Sequence, residues 1–288
     1  MNTQKIEIDT GVEKIKIAYI NAPATSKSKQ SIVLLHGFMG NMLLYKPIIS
    51  KLQNFANVLA IDLPGFGNSD PTNNYTLEYM SNCISKVIKS KTPNTPILLG
   101  HSIGGTISYY MASKNSNCFK AVITQGAPIN IPSMSKKTQR YINLLINTFS
   151  AKGFINPAQF ISSTLTHPKV TKTITKILSN HSYYNPILNT TTDKITTYSV
   201  RTIDPLVIGK ACSLFDSLDI TDEIRQLNIP TIALVGKQDK ALIIDEFNKI
   251  ENTNPNVTVR ICENFVHQQM ILNPDSVITE ILPYLTKT

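Results

Sequence analysis

Gly100-His101-Ser102-Ile103-Gly104 constrains this chain more than any other segment. An apolar strand, Pro96-Ile97-Leu98-Leu99, runs into it, and a helix opening with Gly104-Gly105 is expected to follow. A serine hydroxyl is a poor nucleophile unless it is held exposed at a sharp turn, beside a base and near hydrogen-bond donors. G-x-S-x-G meets the geometric part of that need. Glycines two residues before and two after the serine let a strained strand-to-helix turn close without side-chain clashes. The pentapeptide is short and built of common residues, so its weight rests on what stands elsewhere in the chain.

Three other segments supply that weight. Ser31-Ile32-Val33-Leu34-Leu35 reads as a buried strand and runs into His36-Gly37-Phe38-Met39-Gly40. A loop at the end of a neighbouring strand is where a second oxyanion donor must sit, so the donors are assigned to the N–H groups of Phe38 and Ile103. An ordinary glycine turn is the plainer reading of this loop. Thr231-Ile232-Ala233-Leu234-Val235 is a continuous apolar strand followed by Gly236-Lys237-Gln238-Asp239, and an Asp just past a strand end can hold an imidazole in the required tautomer. His267 follows the strand Asn256 to Ile261 and a short loop. Singly, Asp239 also reads as a solvated turn residue and His267 as a partly buried histidine at a helix start. Together they complete the order Ser102…Asp239…His267, a nucleophile, an orienting carboxylate and a base.

With these residues in place the chain resembles the serine hydrolases of the α/β-hydrolase superfamily, in the branch that carries a helical cap. The resemblance runs from about Lys14 to Leu285. It rests on His36-Gly37-Phe38, on Asp62-Leu63-Pro64-Gly65-Phe66-Gly67-Asn68-Ser69, on the elbow, on Gly236-Lys237-Gln238-Asp239, on Phe265-Val266-His267 and on the tail from Asn273. Within the superfamily the basic cap and elbow resemble the pimeloyl–acyl carrier protein methyl ester esterases. Epoxide hydrolases and haloalkane dehalogenases share the order but use Asp as nucleophile, where this chain has Ser102. Dehalogenases also place Trp after the nucleophile, and this chain contains no Trp. Some relatives carry the acid one strand earlier, but Gln125-Gly126-Ala127-Pro128 offers no carboxylate, which leaves Asp239.

The implied fold is α/β, a mostly parallel eight-stranded sheet flanked by helices with a helical cap inserted after strand 6. Residues 1–128 and 209–288 are expected to form the core and residues 129–208 the cap. Alternating Ile6 to Ile8 and Lys14 to Ile20 read as opening antiparallel strands. Buried strands are expected at Ser31–Leu35, Val58–Leu63, Pro96–Gly100, Ala121–Gln125, Thr231–Gly236 and Asn256–Ile261, alternating with helices. The total of 288 residues, 42% of them hydrophobic, suits one such domain.

Charge is concentrated in the cap. Between Ile129 and Val200 eight basic residues face one acid, Asp193, so this segment holds +7 of the chain's net +9. Lys136, Lys137, Arg140, Lys169, Lys172 and Lys176 make the basic surface, which reads either as a solvated helix face or as a landing site for an acidic partner. An acidic acyl carrier protein is the partner that the resemblance implies. Peripheral contact with anionic lipid is the competing reading. Nucleic acid is not expected, because no groove-reading motif occurs. Met39, Tyr183 and Tyr184 are the pocket candidates.

Other chemistry finds little support. The stretch from Gly65 lacks the third glycine of a dinucleotide fingerprint, no Gly-Lys-Ser/Thr loop occurs, and the histidines are too dispersed for a metal site. No cofactor and no metal are expected. Cys83, Cys118, Cys212 and Cys262 are scattered and read as buried thiols of a reducing compartment. No signal-peptide core or membrane-spanning run appears, so a cytoplasmic protein is expected. The expected reaction is hydrolysis of a small acyl ester through an acyl-enzyme. Carbon–carbon bond hydrolysis, thioester cleavage and acyl transfer are alternatives on the same residues, and a non-catalytic binding protein is the reading from another class.

Overall fold

The structure, a computed structural model, describes residues 1–28, 30–149 and 204–285. Eight strands form one sheet: β1 Gln4–Asp9, β2 Lys14–Ala22, β3 Ser31–Leu35, β4 Asn57–Ile61, β5 Ile97–His101, β6 Ala121–Gln125, β7 Thr231–Gly236 and β8 Val257–Cys262. Their order across the sheet is β1-β2-β4-β3-β5-β6-β7-β8. β1 pairs with β2, and β2 with β4, in antiparallel fashion. Every pairing from β4 through β8 is parallel. The mostly parallel eight-stranded sheet expected from the sequence is therefore present.

The inner parallel strands β3, β5, β6 and β7 are buried at every position because both faces of the sheet are covered there, whereas the edge strand β8 is partly exposed. Val33, Leu35, Leu98, Val122, Ala233 and Val235 belong to one core, and Ile32, Leu34, Leu99, Ile123, Ile232 and Leu234 to the other. On the first face lie α2 (Leu77–Lys91) and α3 (Ile103–Lys114). α2 turns Tyr79, Met80, Cys83, Ile84, Val87 and Ile88 inward, an apolar stripe at helical spacing, and Thr76 caps its start by accepting from the Tyr79 N–H at 3.2 Å. The second face is covered by α1 (Lys46–Leu52) and the C-terminal helix, Pro274–Leu285. The antiparallel β1–β2 pair at one edge needs no crossover, whereas each parallel step needs a connection over a face.

Several strand ends differ from the sequence reading by one or two residues, and two of these differences bear on the site. β4 ends at Ile61, so Asp62 and Leu63 leave the sheet, and β5 runs one residue further, through His101. Both differences fall where side chains at strand ends turn toward the site. The cysteine expectation also needs a correction. Cys83, Cys212 and Cys262 are buried, but Cys118 is exposed, because it sits in the short turn Ser116–Cys118 that links α3 to β6.

Of residues 129–208, where a cap is expected, 129–149 and 204–208 are among the described residues. α4 (Lys136–Phe149) follows β6, and α5 (Pro205–Ala211), with Asp204 as its N-cap, leads back through α6 (Thr221–Arg225) to β7. Lys169, Lys172, Lys176, Tyr183 and Tyr184 lie outside the described residues.

The elbow depends on close packing. A Cβ on Gly104 would lie 2.5 Å from the carbonyl oxygen of His36 and 2.6 Å from that of Leu35, both backbone atoms that cannot swing aside. On Gly100 it would collide with Gly104 and Gly105. Gly104→Ala is therefore expected to lower stability by about 1–3 kcal/mol, the range for overpacking a closed core, read as a lower denaturant midpoint at unchanged slope.

Candidate active site

The loops that leave the C-terminal ends of β3, β5, β7 and β8 meet at one end of the sheet, the place where open α/β sheets hold ligands. Ser102 stands between β5 and α3 with φ 51° and ψ −127°, a left-handed conformation that L-residues rarely adopt. Its N–H donates to the Gln125 carbonyl at 3.0 Å, and its own carbonyl accepts from Gly105 and Thr106 at 2.8 and 3.1 Å. The turn is thus fastened to β6 on one side and to the first turn of α3 on the other. Ser102 itself is only half-buried.

His267 Nε2 lies 3.1 Å from Ser102 Oγ. Its Nδ1 lies 2.8 Å from Asp239 Oδ2. Asp239 is 5% exposed, and its second oxygen accepts from the Ala241 N–H at 2.8 Å. Because a carboxylate only accepts, Nδ1 carries the proton and Nε2 presents its lone pair to the serine. The structure thus brings Ser102, His267 and Asp239 each within hydrogen-bonding distance of the next.

Ile103 opens α3, so its N–H belongs to the first turn, where no intrahelical acceptor is available. Phe38 follows Gly37 on the β3 loop. Its ring packs edge-on against Phe66 and Phe215 at 5.7 and 5.1 Å between centroids, which fixes the backbone that carries its N–H. Met39 has φ 57° and is half-buried, with its sulfur 4.0 Å from the Tyr141 hydroxyl on α4. Lys136, Lys137 and Arg140 are exposed at the start of α4.

Several site residues were given no role by the sequence. His36 donates from Nδ1 to the Gly37 carbonyl at 2.8 Å and accepts the Leu63 N–H at Nε2, 2.9 Å, so its ring is neutral and bridges two loops. Asp62 is fully buried and accepts from the N–H groups of Met42 and Asn68 at 2.7 and 2.8 Å. His101 and Tyr45 form a further chain across the site: Tyr45 accepts the Gly37 N–H at 3.3 Å, its hydroxyl is 2.6 Å from His101 Nδ1, and His101 Nε2 is 2.6 Å from the His267 carbonyl. Beside it, Gln125 Nε2 donates to the Val266 carbonyl at 3.3 Å, and Gln125 Oε1 is buried with no partner among the described residues. His36, His101 and Asp62 stand within or beside the motifs, and their burial was the missing signal. Tyr45 had none, since its partner is 56 positions away. Among the described residues no group of three or more His, Cys, Asp or Glu could hold a metal ion, and no helix is long and apolar enough to cross a membrane.

A family model described as the alpha/beta hydrolase fold matches residues 30–274. The chain belongs to the α/β-hydrolase family. Among curated relatives it is 24% identical over 269 residues to a pimeloyl-[acyl-carrier protein] methyl ester esterase of Wigglesworthia glossinidia brevipalpis, covering 89% of this chain and 93% of that one. It is 26% identical over 159 residues to a protein of Saccharomyces cerevisiae described as a probable alcohol acetyltransferase. That match covers 53% of this chain and 46% of the yeast protein, so the chain spans less than half of this relative's length. A thermophilic esterase from Thermogutta terrifontis has the same fold, with a TM-score of 0.72 at 19% identity over 98% of each chain.

Burial also sets how this α/β-hydrolase responds to acid. It holds His36 down at about 4 and His101 at about 3, with the neighbouring His267 ring adding to the shift of His101. Burial raises Asp62 to about 6, against the pull of its two backbone donors. An imidazole whose folded pKa is depressed gives stability that is present above about pH 6.5 and lost as pH falls toward the folded value. A raised carboxyl acts oppositely, favouring the folded state as pH falls through about 6. Between pH 7 and 5 the two imidazoles together cost about 4 kcal/mol and Asp62 offsets about 1. Chemical denaturation at the two values should therefore show a net loss of about 2–3 kcal/mol at pH 5.

Proposed function

We propose that this α/β-hydrolase cleaves carboxylic esters through Ser102, His267 and Asp239. The observation that carries the reading is the half-buried Ser102 hydroxyl, set on a left-handed turn, 3.1 Å from an imidazole nitrogen whose other nitrogen faces a buried carboxylate at 2.8 Å. As Ser102 Oγ bonds to the ester carbonyl carbon, its proton passes to His267 Nε2. Asp239 holds the resulting imidazolium. The carbonyl oxygen takes up the electron pair as an oxyanion, toward which the N–H groups of Phe38 and Ile103 donate. The pair returns, the C–O bond to the alcohol breaks, and the alcohol leaves with the proton from His267. Water then attacks the acyl-enzyme by the same route, releasing the acid and restoring Ser102.

The half-buried side chains of Phe38 and Met39, on the loop after β3 and backed by the buried rings of Phe66 and Phe215, offer apolar surface that suits an acyl chain better than a peptide. Exposed Lys136, Lys137 and Arg140 on α4 suit an acyl group delivered on an acidic carrier protein, as the name of the Wigglesworthia relative implies for that enzyme. The acetyltransferase description of the yeast relative keeps transfer to an alcohol in view, in which the alcohol takes the place of water in the second half.

Hydrolysis of p-nitrophenyl esters of two to twelve carbons tests the first point. Wild type should be active with a chain-length optimum, and Ser102→Ala should lose about 10³-fold or more in kcat, as removal of such a nucleophile does elsewhere. Equal activity in both proteins would remove Ser102 from the mechanism. For the carrier, Lys136→Glu, Lys137→Glu and Arg140→Glu combined should lower kcat/KM toward a carrier-bound methyl ester by about tenfold or more at low salt. Activity toward the small esters should stay unchanged. Equal effects on both substrates would argue against a docking role for α4.

A further inference from the structure

The triad geometry explains how Ser102 and Asp239 face His267, but not what holds the His267 backbone where it is. That residue stands on a loop after β8, 165 positions from the serine, and a shift of the loop would open the 3.1 Å contact directly. Its carbonyl, however, meets a buried donor, His101 Nε2, at 2.6 Å. A carbonyl oxygen can only accept, so Nε2 of His101 carries the ring's proton. Nδ1 must then accept, and its partner at 2.6 Å is the Tyr45 hydroxyl, which in turn takes the Gly37 N–H at 3.3 Å. Donors and acceptors run in one direction throughout: Gly37 N–H to Tyr45 oxygen, Tyr45 O–H to His101 Nδ1, His101 Nε2–H to the His267 carbonyl.

We infer that His101 is a positioning residue which, with Tyr45, ties the oxyanion loop, the nucleophile elbow and the base loop into one unit of fixed spacing. Gly37 immediately precedes Phe38, His101 immediately precedes Ser102, and the last acceptor is the backbone of His267 itself. Each end of the chain is therefore one bond or one residue from a group proposed to act on the ester. The packing is close as well as polar. A Cβ on Gly37 would lie 2.8 Å from His101 Nδ1 and 3.1 Å from Ser102 Cβ, so the oxyanion loop rests on His101 with no space between. His101 is 4% exposed and cannot exchange these partners for water. Gln125, the register neighbour of His101 on β6, reinforces the tie by donating to the preceding carbonyl of the same loop, that of Val266. An error of about 1 Å in such a constellation can cost on the order of 10²-fold in rate.

The inference rests on the esterase reading for its kinetic arm and is independent of it for its spectroscopic arm. In wild-type protein, nitrogen-15 correlation spectra of the imidazoles should show His101 as the Nε2–H tautomer, unchanged from pH 8 to pH 5. An Nδ1–H tautomer, or a charged ring at pH 6, would overturn the proposal whatever the enzyme's substrate. Kinetically, Tyr45→Phe removes one oxygen and keeps the ring, while His101→Leu removes donor and acceptor and His101→Gln keeps one of each. With active sites counted by a fluorophosphonate that labels Ser102, Tyr45→Phe and His101→Leu should lose about tenfold or more in kcat per site with KM within about twofold. His101→Gln should recover part of that loss. A role confined to stability would lower the melting temperature and leave kcat per titrated site within twofold of wild type, and that result would overturn the inference. A wild type that neither labels nor hydrolyses esters would instead count against the esterase reading, leaving the tautomer measurement to decide this one.

Discussion

Everything at the working end of this molecule depends on keeping Ser102 in a backbone conformation it would not choose. A non-glycine residue at φ 51° and ψ −127° costs on the order of 1–3 kcal/mol, and such strain persists only where the surroundings over-determine it. Here the surroundings are specific. The serine N–H is held by β6, its carbonyl by the first turn of α3, and Gly104 is pressed against the backbone of Leu35 and His36 at the end of β3. The conformation turns the hydroxyl out of the sheet while its neighbours stay buried, so the strain is the means by which the proposed nucleophile is presented.

The sheet makes this possible because its parallel strands all end on the same side. β3, β5, β7 and β8 each deliver one loop to that side, and β6 delivers Gln125, which holds the elbow by its backbone and the base loop by its side chain. The polar groups that link these loops are buried and mostly uncharged. Neutral His36 and His101 provide direction without a charge that would compete with the Asp239–His267 pair, and Asp62, a buried carboxyl away from that pair, is satisfied by two backbone donors. The site is thus built on hydrogen bonds whose cost of breaking is high, since each would leave a polar atom stranded away from water.

The fold was legible in the sequence because parallel strands covered on both faces are mostly apolar, and β3, β6 and β7, buried at every position, carry polar side chains only at Ser31, Thr124, Gln125 and Thr231. The chemistry was legible where it sits directly beyond such a strand, as Ser102, Asp239 and His267 do. Legibility failed at strand ends, where a single polar side chain decides whether the backbone stays in the ladder: Asp62 leaves β4 to accept from two loops, and His101 stays in β5 to reach across the site. It failed for Tyr45 because nothing local in Met42-Leu43-Leu44-Tyr45 distinguishes a core aromatic from one whose hydroxyl joins two loops of the site. Cys118 was misread because burial was inferred from residue type, while a short turn between helix and strand leaves it in solvent.

The wide separation of the interacting residues carries a consequence for how the molecule comes into being. Ser102 and His267 are 165 positions apart, and the carbonyl that His101 holds is 166 away. Contacts between such distant positions close late, because the entropy of the intervening chain must be surrendered first. The elbow can form from β3, β5, β6 and α3 alone, with the hydroxyl presented but without a base. Only when β8 docks against β7 does the imidazole arrive. If Ser102 is the nucleophile proposed above, its hydroxyl therefore has no base until β8 and the loop carrying His267 have packed, and reactivity follows completion of the sheet.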